Sequence, residues 1–173
     1  MRKRLLIMLA AALPVLAVAG YAMANDHSDL ADLRQATVAF HDIDVAKQTF
    51  PDGFFLPQVA PFGQGTCIAN LDGEGGAMGN HFLIPSRVDG NLVPTEPEAF
   101  LYEQRNNGTY KLVGFEFIVA GGPRPTLFGR EFDSTNLARY GDPSATVWTL
   151  HAWVWKGNPA GTLEPWNPNV SCD

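Results

Sequence analysis

The sequence lacks the short motifs that mark the common catalytic folds. It has no G-x-S-x-G nucleophile elbow, no H-E-x-x-H zinc motif, no phosphate-binding G-x-x-x-x-G-K-[ST] loop and no dinucleotide-binding G-x-G-x-x-G. Its acidic residues are too scattered to indicate the paired carboxylates of a glycoside hydrolase. A function must therefore be sought in individual residues that are out of place in their surroundings.

Positive charge is also scarce. The chain has 12 Lys and Arg against 18 Asp and Glu, and three of the basic residues fall within the first 24 positions. The remainder carries nine basic and 18 acidic residues, a net charge of −9. Such a surface repels phosphate backbones and anionic lipids, so we expect no nucleic-acid partner.

Long hydrophobic runs are missing except at the N-terminus. Basic residues at 2–4 precede an apolar run over 5–19, and Ala22-Met23-Ala24 has the small-x-small pattern of a cleavage site. This predicts a secretory signal peptide over 1–24, with an uncleaved membrane anchor as the alternative. Cleavage leaves a single secreted or periplasmic domain over 25–173, with no stable membrane insertion.

Cysteine is nearly absent, with one residue at Cys67 and one at Cys172. An exported protein meets an oxidising environment, and an even number of cysteines favours a disulfide. The alternative is a metal-binding or reactive thiol pair, which the missing C-x-x-C spacing disfavours. A Cys67–Cys172 bond would tie the C-terminus to the body of the protein.

The periodicity predicts a short helical start followed by strands. Leu30, Leu33, Ala36 and Phe40 recur at helical spacing, with Ser28 or Asp29 as a possible cap and a second short helix beginning near Asp42 or Asp44. Residues 50–65 hold three prolines and three glycines and predict a loop. Apolar, β-branched stretches then predict strands at 66–70, 80–86, 99–104, 109–120 and 144–157, with Asn107-Gly108 as a hairpin turn.

This order predicts an α+β or mainly β fold: a short N-terminal helical segment followed by an antiparallel β sandwich or small barrel. The stretch 144–157 is apolar on both faces, which is typical of a central strand.

Polar residues inside these apolar strands are the candidates for chemistry. His151 lies in the middle of 144–157, Glu116 inside "LVGFEFIV", and His81 at the start of a strand. A buried carboxylate or imidazole needs a partner, so one cavity holding His81, Glu116 and His151, with Glu103 nearby, would satisfy all of them. Such ligands suit a divalent transition metal, namely Zn, Fe, Mn or Cu. A satisfied His–Glu pair in the core is the structural alternative.

The glycine-rich stretch "EGGAMGNHF" (74–82) leads directly into His81. No lysine or helix pattern follows it, so it does not indicate a phosphate loop. Small residues there instead predict a place where the backbone passes close to another part of the chain before the strand begins.

All four tryptophans lie between 148 and 166. Packing of the core and tail is one interpretation. The other is an aromatic wall for a small ligand, formed by Trp153, Trp155 and Trp166.

The stretches "CIAN", "GAMGNHF", "FLYE", "LVGFE", "LFG" and "LHAWVWKGNPAG…WNPNVSC" together resemble a family of small exported bacterial proteins with no established activity. The shared pattern is GAMG-x-H, LYE, L-x-G-x-E, LFG and LH-x-WVWK-x-NP-x-G…WNP-x-V-x-C, over most of residues 66–172. The resemblance draws attention to its matching positions, which are His81, Glu103, Glu116, His151 and both cysteines.

The sequence therefore predicts an exported metal-binding domain with a His/Glu site and leaves open whether it is an enzyme. The alternative is a metal-free domain that binds a small molecule, or a structural envelope protein, with a Trp-rich C-terminal region.

Overall fold

A computed structural model of the protein describes residues 26–56, 67–70, 75–136 and 146–172. The predicted signal peptide over 1–24 lies outside the described residues. In the described part of the chain, no helix combines the length and apolarity needed to cross a bilayer.

Two short helices open the described chain, as the periodicity predicts. Helix α1 spans Asp26–Thr37, a 3-10 turn follows at Val38–His41, and α2 spans Ile43–Thr49. The carboxylate of Asp42 accepts a hydrogen bond from the backbone N–H of Asp44 at 2.9 Å, which confirms Asp42 as the cap of α2. The predicted caps of the first helix, residues 28 and 29, instead lie inside α1, because the helix already includes Asp26.

Nine strands follow among the described residues, mostly where the alternating and β-branched stretches predict them. A two-residue strand, β1, lies in the segment that was expected to be loop. The strands are β1 (Phe54–Phe55), β2 (Cys67–Ala69), β3 (Ala77–Leu83), β4 (Ala99–Gln104), β5 (Tyr110–Ala120), β6 (Thr126–Leu127), β7 (Arg130–Glu131), β8 (Asp133–Asn136) and β9 (Thr146–Ala152).

Seven of these strands form one antiparallel sheet in the order β1-β3-β4-β5-β9-β8, with β2 paired to the same strand β3. Strands β6 and β7 form a separate small hairpin. The predicted helical start followed by antiparallel β structure is confirmed. Among the described strands, the main sheet ends in β1 and β8 and is open, so the barrel alternative does not hold.

The helices cover one face of the sheet. Leu33 of α1 and Ala46 of α2 are fully buried against an aromatic cluster that alternate positions of the strands contribute. The members of this cluster on β3, β4, β5 and β9 are Phe82, Phe100, Tyr102, Leu112, Phe115, Phe117, Leu150 and Ala152. The intervening residues point to the opposite face, and the candidate site lies there.

Two register shifts decide which side chains reach that opposite face. On β5, Gly114 pairs with Leu101 but Leu112 pairs with Tyr102, so Val113 is an extra residue. Strict alternation predicts that Leu112 and Glu116 share a face. The bulge reverses that, because Leu112 joins the aromatic cluster under the helices while Glu116 faces away from it.

The second shift lies in β3, within the glycine-rich stretch. The register of β2 against β3 changes between Ile68 and Ala69, and Gly79 adopts φ +85°. A Cβ at Gly79 would lie 2.8 Å from the carbonyl oxygen of Tyr102. The close backbone passage is therefore present two residues before His81, but it lies inside β3 and not before it. The prediction that His81 starts the strand is wrong, because β3 already begins at Ala77.

The last sheet strand is shorter than predicted. β9 ends at Ala152, after which the chain turns and the Trp153 N–H bonds the Thr162 carbonyl. The following tail returns to the sheet, where Asn167 exchanges backbone hydrogen bonds with Ala77. A disulfide between Cys67 and Cys172, with Cα atoms 5.5 Å apart, fixes the tail to β2.

Candidate metal centre

Three polar side chains from three strands meet on the face of the sheet opposite the helices. His81 lies on β3, Glu116 on β5 and His151 on β9, and all three are buried. Each offers one ligand atom, and these atoms all lie within 4.8 Å of one another. Among the described residues, these three form the group of His, Cys, Asp and Glu side chains whose ligand atoms lie close enough together to hold one metal ion.

The strand register brings the three side chains together. Glu116 and His151 are direct cross-strand partners, so their side chains share a face. His81 must reach across β4, where Ala99 is the partner of Glu116. A methyl side chain at that position leaves room for the carboxylate to approach His81, and the Glu116 Oε2 to His81 Nε2 distance is 3.3 Å.

A hydrogen bond to the backbone fixes the orientation of the His81 ring. His81 Nδ1 lies 3.2 Å from the carbonyl oxygen of Gly79. A carbonyl can only accept, so Nδ1 carries the proton and donates it. The lone pair is then on Nε2, which faces Glu116. Metal-binding histidines commonly donate their second nitrogen to a backbone carbonyl in this way.

The ring of His151 is buried, and neither of its nitrogens has a hydrogen-bond partner among the described residues. Its Nε2 lies 3.9 Å from Glu116 Oε1, which is beyond hydrogen-bond distance. An unpartnered polar group in a protein interior costs about 1–3 kcal/mol. His151 is therefore either a strained element of the core or a ligand for something that occupies the space beside Glu116.

Burial keeps all three groups neutral. Desolvation lowers the pKa of His81 to about 4 and that of His151 to about 3, and it raises the pKa of Glu116 to about 8. Although the His81–Glu116 distance would suit an ion pair, neither partner is charged near neutral pH. A protonated Glu116 can donate to His81, but that single proton leaves His151 unsatisfied.

A divalent cation in place of that proton would satisfy all three groups. Ligand atoms on a tetrahedral ion at 2.0–2.1 Å are separated from each other by roughly 3.3–3.5 Å. The His81 Nε2 to Glu116 Oε2 separation of 3.3 Å already fits. The His151 separation of 3.9 Å is to the other carboxylate oxygen, and the three ligand atoms lie within 4.8 Å of one another, so the side chains must draw closer around an ion. Two imidazoles and one carboxylate are a ligand set that transition metals accept.

The three residues also line a cavity of about 290 Å³. Its walls are mainly aliphatic, and a pair of threonines, Thr135 and Thr149, lies on one side with their hydroxyls 3.0 Å apart. A metal bound by three protein atoms would keep at least one coordination position for a further ligand. The aliphatic walls come from Leu56, Ile68, Met78, Leu83, Val88 and Ile118, among others.

Glu103, the fourth expected ligand, does not join the group. Both of its oxygens accept hydrogen bonds from Lys156 Nζ, at 2.6 and 2.8 Å, and one also accepts from the backbone N–H of Ser171. Glu103 therefore anchors the C-terminal tail. The prediction failed at this residue because the tail that brings Lys156 to β4 is 53 positions away in sequence.

The tryptophans do not form one aromatic wall. Trp153 is buried on the site side of the sheet and donates its indole N–H to the Glu164 carbonyl. Trp155 packs instead on the helix side, where Arg34 lies 4.5 Å from its ring centroid. They diverge because β9 ends at Ala152, so the alternation that predicted a shared face stops there. Trp166 is half-buried in the tail.

The prediction missed Glu98, a second buried carboxylate near the site. It is 1 % exposed, and its Oε2 accepts a hydrogen bond from the backbone N–H of Ile118 at 2.9 Å. Burial raises its pKa to about 7, and its charge contributes to the raised pKa of Glu116. Its position directly before the apolar strand "AFLYE" was the available signal.

No known protein family, curated protein or solved structure matches the chain. The geometry of the His81, Glu116 and His151 group is therefore the basis for a function.

Proposed function

We propose that this protein is a metal-binding domain in which His81, Glu116 and His151 hold one divalent transition-metal ion. The observation that carries the proposal is the His151 ring, which is buried beside a carboxylate and a second imidazole and has no hydrogen-bond partner in the described parts of the chain. A protein core rarely retains such an arrangement without a ligand.

The ligand set limits the choice of metal. Two imidazoles and one carboxylate suit Zn, Fe, Mn or Cu, whereas Ca²⁺ and Mg²⁺ prefer an all-oxygen environment. The position that remains open toward the cavity can hold water or another molecule, as in catalytic rather than structural zinc sites.

Export to an oxidising compartment is part of the same proposal. The N-terminal pattern over 1–24 supports it, and the disulfide Cys67–Cys172 is consistent with such a compartment. Mass spectrometry of the protein recovered from a bacterial periplasm tests it. The expected mass is that of a chain that begins at Asn25. The mass of a chain that still carries residues 1–24 would contradict cleavage.

Metal content and thermal melting test the metal site. Purified protein incubated with Zn²⁺ and desalted should contain about one zinc per chain, and EDTA should lower its melting temperature because metal stabilises the state that binds it. Calcium in place of zinc is the matched control and should give no shift. If the protein retains no zinc and EDTA leaves its melting temperature unchanged, the proposal is wrong.

A further inference from the structure

The cavity beside the three ligand atoms has a chemistry of its own. Its walls are aliphatic, and among the described residues that line it none is a lysine or an arginine. Arg130, whose charge acts on His151, is engaged by Asp133 and Glu164. Within the described part of the chain, a bound metal would therefore be the source of positive charge for a molecule in this cavity.

The charge of the loaded centre then defines the head group of a ligand. A divalent ion with one carboxylate and two neutral imidazoles carries one net positive charge. In an apolar surrounding this charge is poorly solvated, so a monoanion at the open coordination position would neutralise it. Carboxylate oxygen is a ligand that all the candidate metals accept.

The cavity volume and walls define the rest of the molecule. An apolar cavity of about 150 Å³ holds benzene, so the 290 Å³ here suits a molecule of about ten heavy atoms. Away from the two imidazoles, the described lining is mainly aliphatic and holds no Phe, Tyr or Trp, which favours a flexible alkyl chain over a flat ring.

We infer that the metal-loaded site binds a medium-chain aliphatic monocarboxylate, with the carboxylate on the metal and the alkyl chain along Leu83, Val88 and Ile118. This inference rests on the proposed metal site. It gives the aliphatic cavity an occupant.

Calorimetric titration of octanoate into zinc-loaded and EDTA-stripped protein tests the inference. Octanoate should bind the loaded protein at least tenfold more tightly than the stripped protein. Acetate, which has the head group alone, and octanol, which has an uncharged head group, should each bind at least tenfold more weakly than octanoate. Equal octanoate affinity for loaded and stripped protein, or equal affinity for acetate and octanoate, overturns the inference.

A matched pair of variants places the alkyl chain. Val88→Trp fills the cavity and should weaken octanoate binding at least tenfold while zinc content stays the same. Val93→Trp, at an exposed position outside the cavity, should change neither. Unchanged octanoate affinity in Val88→Trp overturns the inference.

Zinc content measured on the same samples separates the two possible failures. Zinc present without octanoate binding defeats the inference alone. Absence of zinc from the wild-type protein defeats both the proposed site and the inference.

Discussion

At the scale of single residues, the candidate site consists of three polar groups that interrupt apolar strands. Burial of His81, Glu116 and His151 demands a partner for each, and the structure brings all three together. Their grouping was predictable because those strands offer few other polar residues. Glu103 was expected only nearby, and the tail supplies its partner Lys156.

Glu116→Gln is the sharpest test at this scale. The amide keeps the shape of a carboxyl that is neutral in the metal-free protein, so the fold should persist. The variant lacks the anionic ligand, and we expect its zinc affinity to fall at least about 100-fold. Competition with a chromophoric chelator measures this.

Glu103→Gln is the control for that experiment. It removes a carboxylate on the same sheet but outside the metal group, and zinc affinity should stay within about twofold of wild type. A similar loss in both variants would contradict the assignment of ligands.

The buried imidazoles also predict how the metal-free protein responds to acid. The folded-state pKa of His151 is about 3, well below its ordinary value of 6.5, because burial disfavours its charged form. Between these values the unfolded chain binds a proton that the folded chain refuses, so the contribution of His151 to stability falls as the pH drops below about 6.5. Glu116 acts in the opposite direction, because its folded-state pKa is raised to about 8 and the folded chain keeps a proton that the unfolded chain releases.

Urea denaturation of EDTA-treated protein at several pH values measures this effect. His151→Leu should lower the slope of the unfolding free energy against pH, relative to wild type, by up to about 1.4 kcal/mol per pH unit between about pH 6 and 4. Identical slopes in variant and wild type would mean that His151 is protonated in the folded state.

At the scale of strands, the bulges set the geometry of the site. The bulge at Val113 turns Glu116 away from the aromatic cluster, and the shift in β3 lies next to Gly79. Residue patterns predicted where β4 and β5 lie, because hydrophobicity and the Asn-Gly turn are local signals. A bulge changes the alternation without a local signature of comparable strength, so it could not be predicted from one sequence.

Gly79→Ala should disturb both the fold and the site. A side chain there would adopt a strained positive φ and meet the Tyr102 carbonyl oxygen. Gly90→Ala has the same φ of 85° but open space around it, which makes it the matched control. A left-handed backbone conformation costs an ordinary residue about 1–2 kcal/mol, and both variants share that cost. Because Gly79→Ala also meets the Tyr102 carbonyl oxygen, it should lower the unfolding free energy by at least about 1 kcal/mol more than Gly90→Ala does. Equal unfolding free energies in urea would contradict the close approach.

At the scale of the whole molecule, the disulfide joins β2 to the C-terminal tail. Cys67 and Cys172 are 105 positions apart, and their bond holds the tail against β2, whose Ile68 lines the cavity. The pairing was predictable because the chain has only two cysteines. The arrangement of the main strands in a single open sheet was not predictable, since the number of layers depends on contacts between distant strands.

Loss of this bond should cost much of the stability. For a loop of this length the chain-entropy model gives about 4–5 kcal/mol at most. The double variant Cys67→Ser/Cys172→Ser should therefore unfold at markedly lower urea concentration than oxidised wild type. Reduced wild type is the control and should match the double variant. Unchanged stability in both would show that the tail is held by its other contacts alone.

The most direct test of the metal centre is anomalous diffraction from crystals grown with Zn²⁺, recorded on both sides of the zinc absorption edge. We expect one strong peak in the anomalous difference map, within about 2.0–2.2 Å of His81 Nε2, a Glu116 carboxylate oxygen and a His151 ring nitrogen. A map without a peak between these three side chains, or with zinc bound only at surface carboxylates, would contradict it.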